Sequence, residues 1–348
     1  MFLFYISGHG YGHASRDIEV MHAIAALDED ARIVVRTSAP RWLFDATVPT
    51  GIAFRPAETD TGVAQIDSLR LDEDETARHA ARFYADFDAL VDREAGVLRQ
   101  IGAQVVVGDI PPLAFAAADR AGVRSVALGN FTWDWIYSIY PAFDRLAPGV
   151  IALIRSAYAH ASSALRLPLH CGFEPMAAVT TDIPFIARKS TRDPAEVRRA
   201  LGVSGTRPVV LASFSAYGAD LPIAPLQQSD RFTLLAPQRD PPGGLLYQDL
   251  VAAADVVVSK PGYGIVSECV ANETALLYTS RGHFIEYDLF VAEMPKVLRC
   301  RYLSQEDLLA GRWADAIDAL LAQPAPPERP RIDGADRAAR AILNLGIG

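Results

Sequence analysis

The amino-acid sequence predicts an α/β protein with two parallel-sheet domains facing a cleft, and three observations lead to this prediction. The chain has 348 residues, which is long for one hydrophobic core and typical of two domains. In both halves, short apolar runs alternate with helical patterns, as in parallel strands covered by helices. Each half also has a glycine-rich turn between an apolar strand and a helix, at residues 7–13 and 259–264. Such a turn leaves the first helical amides available to an anion or a ligand oxygen.

The first domain is predicted over residues 1–170. Its strands are expected at residues 2–7, 32–37, 105–108 and 125–128. The stretch from Asp72 to Arg99 is charged, alanine-rich and free of proline, so it predicts one long helix that Gly96 could kink.

The segment 171–193 contains Pro175 and Pro184 without clear periodicity and is predicted as the interdomain linker. The second domain is then predicted over residues 194–330. Its strands are expected at residues 209–213, 232–235, 256–259 and 275–278. The last segment, 331–348, predicts a helix that could pack back on the first domain.

Composition excludes several classes of partner. The chain has 33 basic and 42 acidic residues and a net charge of −9, which disfavours nucleic acid and anionic lipid surfaces. Its three cysteines have no C-x-x-C spacing, which argues against a disulfide framework or a zinc site and favours a cytoplasmic location. No run approaches the roughly 18 apolar residues of a membrane span. The first apolar run lacks a basic leader, so we interpret it as a buried strand.

The first glycine-rich turn places two histidines and Gly10 after the first strand. His13 begins the following helix, so its imidazole is expected at the mouth of the cleft, where it could act as a general base near neutral pH. His9 and Gly10 are interpreted as cleft residues. The alternative is that either histidine only hydrogen-bonds within the turn.

Arg16 lies in the first turn of the same helix, where the helix dipole disfavours a cation. Either Asp17 or Glu19 neutralises it, or it meets an anionic ligand at the cleft.

A dinucleotide-binding turn is the main alternative for this region. The spacing is G-x-G-x-G rather than G-x-G-x-x-G, and no acidic residue ends the second strand. NAD is therefore disfavoured. Arg36 stands at that position and could hold the extra phosphate of NADP, which leaves that reading open.

The second turn consists of Gly262, Tyr263 and Gly264 and opens a helix in which Glu268 lies just off the apolar face. A carboxylate there could accept two hydrogen bonds from a ribose diol, while the preceding amides meet a phosphate. The alternative is that Glu268 simply pairs with a surface cation.

Two further loops are expected to open onto the same ligand. The small-residue loop after the strand 209–213 offers Ser215 to a diphosphate, and the polar connector 281–288 offers Glu286 to sugar hydroxyls.

On the acceptor side, Asp109 ends a strand and could orient His13, act as the base itself or cap the next helix. Asn130 precedes an aromatic segment at residues 131–137. Trp133 and Trp135 in this segment could stack on a sugar or a planar acceptor. The alternative is a core patch.

These motifs resemble those of glycosyltransferases of the GT-B fold. The similar proteins include the peptidoglycan GlcNAc transferase and the glycosyltransferase-like N-terminal domain of L-arabinokinases. The resemblance covers most of the chain and rests on residues 8–16 and 260–268, with weaker support at 107–111 and 309–313.

The resemblance implies two Rossmann-like domains, with the donor, usually a UDP-sugar, bound by the second and the acceptor by the first. Glu268 would grip the donor ribose, Glu286 would read the donor sugar and His13 would be the base. Transfer to an acceptor hydroxyl of a small molecule or glycan would need no metal or other cofactor, because helix amides would stabilise the leaving diphosphate.

Two departures and two rivals accompany this interpretation. Ser215 and Ala216 stand where many relatives have paired glycines, and the L-arabinokinases continue into a sugar-kinase domain whereas this chain ends at Gly348. Kinase activity is therefore not expected. The rivals are a UDP-sugar 2-epimerase or hydrolase of the same fold and a non-catalytic nucleotide-sugar-binding domain.

Overall fold

The computed structural model describes residues 1–45, 52–214, 218–235 and 242–347. The chain divides into two units. Unit 1 consists of Met1–Gln65, Leu71–Ile186 and Arg331–Gly348, and unit 2 consists of Ile66–Arg70 and Ala187–Pro330. Each unit has its own parallel sheet covered by helices, as the alternating sequence pattern predicts.

Unit 1 contains a seven-stranded sheet in which all neighbouring strands are parallel. Its strands are β1 (Phe2–Ile6), β2 (Ile33–Thr37), β3 (Ala53–Pro56), β4 (Val105–Asp109), β5 (Arg124–Gly129), β6 (Ser163–Arg166) and β7 (Thr180–Asp182). Their order in the sheet is β3-β2-β1-β4-β5-β6-β7. The direction of strand order reverses between β1 and β4, and ligands of such sheets bind outside the carboxyl ends of the strands at this reversal.

The helices of unit 1 cover its apolar strands. They are α1 (Gly12–Leu27), α2 (Trp42–Asp45), α3 (Glu73–Tyr84), α4 (Phe87–Ile101), α5 (Pro112–Ala121), α6 (Trp133–Tyr137), α7 (Ala142–Leu146), α8 (Val150–Tyr158) and α16 (Gly334–Ile347), with a 3-10 helix at Glu174–Val179. The final helix α16 packs against α1. The first residue of α16 is Gly334, and glycine is required there because a Cβ would collide with the carbonyl oxygen of Pro184.

Unit 2 contains a five-stranded parallel sheet in the order β12-β11-β10-β8-β9. Its strands are β8 (Val209–Ser213), β9 (Thr233–Leu235), β10 (Val256–Ser259), β11 (Ala275–Tyr278) and β12 (Cys300–Tyr302). Its helices are α9 (Pro194–Ala200), α10 (Ile223–Gln227), α11 (Tyr247–Ala253), α12 (Tyr263–Ala271), α13 (Glu286–Val297), α14 (Gln305–Leu309) and α15 (Ala314–Leu321), with a 3-10 helix at Pro242–Gly244. Strand order reverses between β8 and β10.

The expected long helix at residues 72–99 is two helices, so that prediction is wrong in one respect. The helical dihedrals break at Asp86 (φ −125°, ψ 49°) rather than at Gly96, which lies inside α4. The predicted start is confirmed, since the Asp72 carboxylate accepts a hydrogen bond from the Glu75 amide at 2.9 Å.

The unit boundary differs from the segment expected as a linker. Residues 180–182 form β7, which pairs with β6, so unit 1 continues to Ile186. The pairing had no sequence signal because β7 is only three residues long and largely exposed.

The short segment 66–70 belongs to unit 2 although unit 1 precedes and follows it in the chain. Leu69 is buried in the core of unit 2 beside Val210 and Val256. The Leu69 carbonyl accepts a hydrogen bond from the Gly282 amide at 2.7 Å, and the Ser68 amide donates to the Gly218 carbonyl at 3.2 Å. This insertion was not predicted from the sequence.

Across the described residues, none of the helices is both long enough and apolar enough to cross a lipid bilayer.

Candidate functional site

In unit 1, the candidate site lies at the carboxyl ends of β1 and β4, where strand order reverses. His13 lies in the first turn of α1, which follows β1, and Asp109 is the last residue of β4. Both side chains are buried, and His13 Nδ1 lies 2.7 Å from Asp109 Oδ1. The fold therefore joins two residues that the sequence analysis singled out separately.

Arg16 completes this cluster. Its Nε donates to Asp109 Oδ2 at 2.5 Å, its Nη2 donates to Asp109 Oδ1, and its Nη1 donates to Asn130 Oδ1 at 3.0 Å. Arg16 thus forms an ion pair with Asp109, a partner that the sequence interpretation, which offered Asp17 or Glu19, did not name. Both Asp17 carboxyl oxygens are buried without a hydrogen-bond partner.

The protonation of the His13–Asp109 pair follows from its surroundings. Burial by itself would raise the pKa of Asp109, but the charges of Arg16 and His13 and their hydrogen bonds outweigh it and lower the pKa to about 2. An ionised carboxylate only accepts hydrogen bonds, so we assign the proton of the neutral imidazole to Nδ1. Nε2 is then left as the basic nitrogen. The 2.9 Å approach of Arg16 Nη2 to Nδ1 is therefore a contact and not a hydrogen bond.

The aromatic segment separates into a core residue and a partly exposed one. Trp133 is fully buried and packs with Phe131 (ring centroids 5.0 Å apart), Tyr137 (5.5 Å) and His9 (5.5 Å). The expectation that Trp133 stacks on a ligand is therefore wrong, because no face of its indole is accessible. Trp135 is half-buried and remains a candidate acceptor contact.

The turn before α1 is held by a segment that the sequence analysis missed, residues 59–63. The Val63 amide donates to His9 Nδ1 at 3.3 Å, which is the turn-holding role considered for His9. Gly10 has a φ of +72°, a left-handed conformation that favours glycine.

Asp60, in the same segment, accepts a hydrogen bond from Trp133 Nε1 at 2.8 Å. The only sequence signal was a short polar, glycine-containing stretch after a strand, which is common in loops.

In unit 2, the second turn leads from β10 into α12. Gly262 is the N-cap residue, no side chain caps this terminus, and the first turn of α12 has no acidic residue. Tyr263 is buried and Gly264 is partly exposed. The first amides of this helix therefore have no capping side chain, and anion binding by them stays a prediction.

Two cationic side chains border this helix start, and the sequence analysis assigned a role to neither. Arg281 has an 8% exposed side chain, and its Nη1 lies 3.4 Å from the Pro261 carbonyl oxygen and 3.6 Å from Glu286 Oε2. Burial, together with the nearby charge of Arg281, lowers the pKa of Lys260 to about 7, although the charges of Glu286 and Asp67 act in the opposite direction. Positive charge is thus concentrated beside the positive end of a helix dipole.

The two carboxylates predicted to bind the donor are both paired with arginines. Glu286 is the first residue of α13, is buried and faces Arg281. Glu268 is buried in α12, and its Oε1 accepts from Arg188 Nε at 2.6 Å and lies 2.5 Å from Arg188 Nη2. The cation beside Glu268 is therefore a largely buried arginine and not a mobile surface group. Arg188 in turn lies over the ring of Tyr247, 5.3 Å from its centroid.

Two sequence interpretations remain to be placed. Ser215 lies outside the described residues. Arg36 donates to Glu94 Oε1 at 2.6 Å, and Tyr5 OH donates to the other Glu94 oxygen at 2.8 Å. The charge of Arg36 is thus balanced inside unit 1, which removes the support for an NADP phosphate at this position.

Comparisons with known proteins agree on the fold. No protein-family model matches the chain. L-arabinokinase of Arabidopsis thaliana is 29% identical over 371 residues, which cover 100% of this chain and 34% of that protein. The chain thus spans about a third of the length of the curated relative it matches.

Solved glycosyltransferases align with nearly the whole chain. The glycosyltransferase of kitacinnamycin has a TM-score of 0.62 at 15% identity, covering 99% of this chain and 97% of that one. UGT2 of Phytolacca americana, complexed with UDP-2-fluoroglucose and pterostilbene, has a TM-score of 0.58 at 14% identity, covering 100% and 94%. SsfS6 of Streptomyces sp. SF2575, complexed with thymidine diphosphate, has a TM-score of 0.53 at 15% identity, covering 99% and 99%. The chain therefore has the GT-B glycosyltransferase fold, as its sequence predicted.

Proposed function

We propose that this protein is a glycosyltransferase that moves a sugar from a nucleotide-diphosphate sugar, with a UDP-sugar as the expected donor, to an acceptor hydroxyl. The observation that carries the proposal is the buried cluster of His13, Asp109 and Arg16 at the carboxyl ends of β1 and β4. An imidazole oriented by an ionised carboxylate is a suitable base for a hydroxyl.

In the proposed reaction, His13 Nε2 takes the proton of the acceptor hydroxyl. The hydroxyl oxygen forms a bond to the anomeric carbon of the donor sugar, and the bond from that carbon to the diphosphate breaks. Asp109 stabilises the imidazolium that forms on His13, since its Oδ1 lies 2.7 Å from Nδ1. Arg16 keeps Asp109 ionised and fixed in this orientation.

Unit 2 supplies the proposed donor site. The amides at the start of α12, together with Lys260 and Arg281, favour a diphosphate and stabilise the charge that develops on it as it leaves. This positive charge is the basis for proposing that transfer needs no metal or other cofactor. Glu268 is proposed to meet the ribose and Glu286 the donor sugar. Nucleoside diphosphates in the solved relatives UGT2 and SsfS6 support this class of donor.

The first test is ligand binding. Thermal unfolding of the full chain is measured with UDP, GDP, ADP and NADPH, because a ligand at a hundred times its dissociation constant stabilises by about 2.7 kcal/mol. We expect a shift with UDP that Glu268→Ala reduces. A shift with GDP or ADP alone would change the donor, and a shift with NADPH alone would overturn the proposal.

The second test measures turnover of UDP-sugars with a panel of hydroxyl acceptors. The quantity measured is the release of UDP. We expect His13→Ala to abolish turnover while UDP affinity is retained. His22→Ala is the matched control, because His22 lies on the same helix and is exposed. UDP release without any acceptor would instead indicate a hydrolase or a 2-epimerase. UDP binding without turnover on any acceptor would indicate a binding domain.

A further inference from the structure

Asp60 is a second carboxylate of unit 1 that the proposed mechanism does not use. It is 5% exposed, and its Oδ2 accepts a hydrogen bond from Trp133 Nε1 at 2.8 Å. The Ser7 side chain also hydrogen-bonds to it. Its neighbour Thr59 donates to the Ile6 carbonyl at 3.1 Å, which fixes the segment against the end of β1. Asp60 is therefore rigidly held beside the turn that leads to His13.

Trp133, the hydrogen-bond partner of Asp60, packs beside His13. The centroids of the Trp133 and His13 rings lie 6.4 Å apart, and Phe131 packs edge-on against His13 at 5.6 Å. Trp133 is fully buried, so the packing around it restricts its side-chain rotamer. Its hydrogen bond to Asp60 further fixes the orientation of the indole ring. A change at Asp60 is thus transmitted to the base through Trp133.

Asp60 also interacts electrostatically with His13. The pKa of Asp60 is raised to about 6, because burial and the charge of Asp109 outweigh the opposing hydrogen bonds from Ser7 and Trp133 and the charge on His13. Electrostatic coupling is reciprocal, so an ionised Asp60 interacts favourably with positive charge on His13. Asp60 also interacts with three phenols, on α3, α6 and α8. They are Tyr84, Tyr137 and Tyr158.

We infer that Asp60 is a positioning residue for the base: it fixes Trp133 beside the imidazole and, together with Asp109, supplies negative charge that stabilises the imidazolium formed during transfer. The inference rests on the proposed role of His13. It adds a group that neither the motif nor the His13–Asp109 contact includes.

The first test needs no substrate. The indole N–H signal of Trp133 is assigned in the NMR spectrum by its loss in Trp133→Phe and is followed between pH 4 and pH 8. We expect a transition centred near pH 6, absent in Asp60→Asn, and moved to higher pH in His13→Gln because the opposing charge is lost. The exposed His22→Gln on the same helix should leave it in place. A transition that His13→Gln does not move would overturn the inference, whether or not the protein shows turnover.

The second test separates charge from simple packing. Asp60→Asn keeps an oxygen acceptor for Trp133 Nε1, removes the charge and replaces the other carboxylate oxygen by an NH2 donor. We expect it to lower kcat about tenfold at pH 8 but only about twofold at pH 5, where most wild-type Asp60 is protonated. Asp134→Asn is the control, since Asp134 is a buried acid next to Trp133 that pairs with Arg155 at 3.0 Å. Its effect on kcat should not depend on pH.

A wild-type-to-Asp60→Asn ratio of kcat that stays constant from pH 5 to pH 8 would show a purely structural role and overturn the electrostatic part of the inference. Absence of wild-type turnover would refute the proposed function instead, and the indole titration would still decide the coupling between Asp60 and His13.

Discussion

At the proposed donor site, the lowered pKa of Lys260 leads us to expect that donor binding depends on pH. Burial and the charge of Arg281 lower its pKa to about 7, so it is about half protonated in the free protein at neutral pH. A bound diphosphate favours the ammonium form. Binding of the donor at pH 7 is therefore expected to take up about half a proton.

The magnitude follows from the protonated fraction of Lys260. That fraction falls from about 0.9 at pH 6 to about 0.1 at pH 8 for a pKa of about 7. If the ammonium form dominates binding, the Kd rises about tenfold over this range, which is about 1.4 kcal/mol. An intact UDP-sugar is the suitable ligand, because its diphosphate diester does not titrate between these pH values.

The assay is isothermal titration calorimetry of a UDP-sugar at several pH values and in buffers of different ionisation enthalpy. Lys260→Arg is the matched variant, because arginine stays charged throughout and all other groups are kept. We expect its Kd to be nearly constant, and that of Lys260→Met to be weak and nearly constant. A tenfold pH effect that persists in Lys260→Arg would refute the reasoning, since the proton would then belong to another group.

Three further predictions concern stability and catalysis. Asp109→Asn should lower kcat by about 10²–10⁴-fold at unchanged UDP affinity. An amide that donates to His13 Nδ1 would leave the imidazole proton on Nε2, the nitrogen that has to accept the proton of the acceptor hydroxyl. Steady-state kinetics and UDP titration check this. Arg188→Met should lower the free energy of unfolding by about 3 kcal/mol, because it leaves the Glu268 carboxylate buried without its arginine; urea denaturation measures the loss, and an unchanged midpoint would contradict it. Leu69→Ala should destabilise by about 2–5 kcal/mol, a cost expected only if residues 66–70 are built into the core of unit 2; the exposed Ile66→Ala is its control.

Much of the fold was predictable because its signals are local. Each parallel strand is a short apolar run, and each turn before α1 and α12 is marked by glycines, so the strands β1, β4, β8 and β10 could be placed from sequence. The same local signals identified His13 and Asp109 as site candidates. The topology then joined them, since β1 and β4 are adjacent in the sheet.

What the sequence could not predict depends on contacts between distant positions. Residues 66–70 look like an ordinary loop of the first half, and only their contacts in the folded chain, the burial of Leu69 among them, assign them to unit 2. Asp60 lies in a loop after a short, largely exposed strand, so its place beside Trp133 had no periodic signal. The break at Asp86 likewise involves no proline or glycine.

The acids that the sequence marked as candidates share one feature, an ion pair with a buried or largely buried arginine, which for Asp109 and Glu268 comes from a distant part of the chain. The pairs are Asp109 with Arg16, Glu268 with Arg188, and Glu286 with Arg281. A carboxylate held in this way keeps its charge and orientation before any ligand arrives, so less reorganisation is needed during the reaction. Losing an arginine should therefore impair the site about as severely as losing its acid. Arg16→Met tests this most directly, because Arg16 never needs to touch substrate: it should lower kcat about as much as Asp109→Asn, and retention of wild-type kcat would show that Asp109 needs no such support.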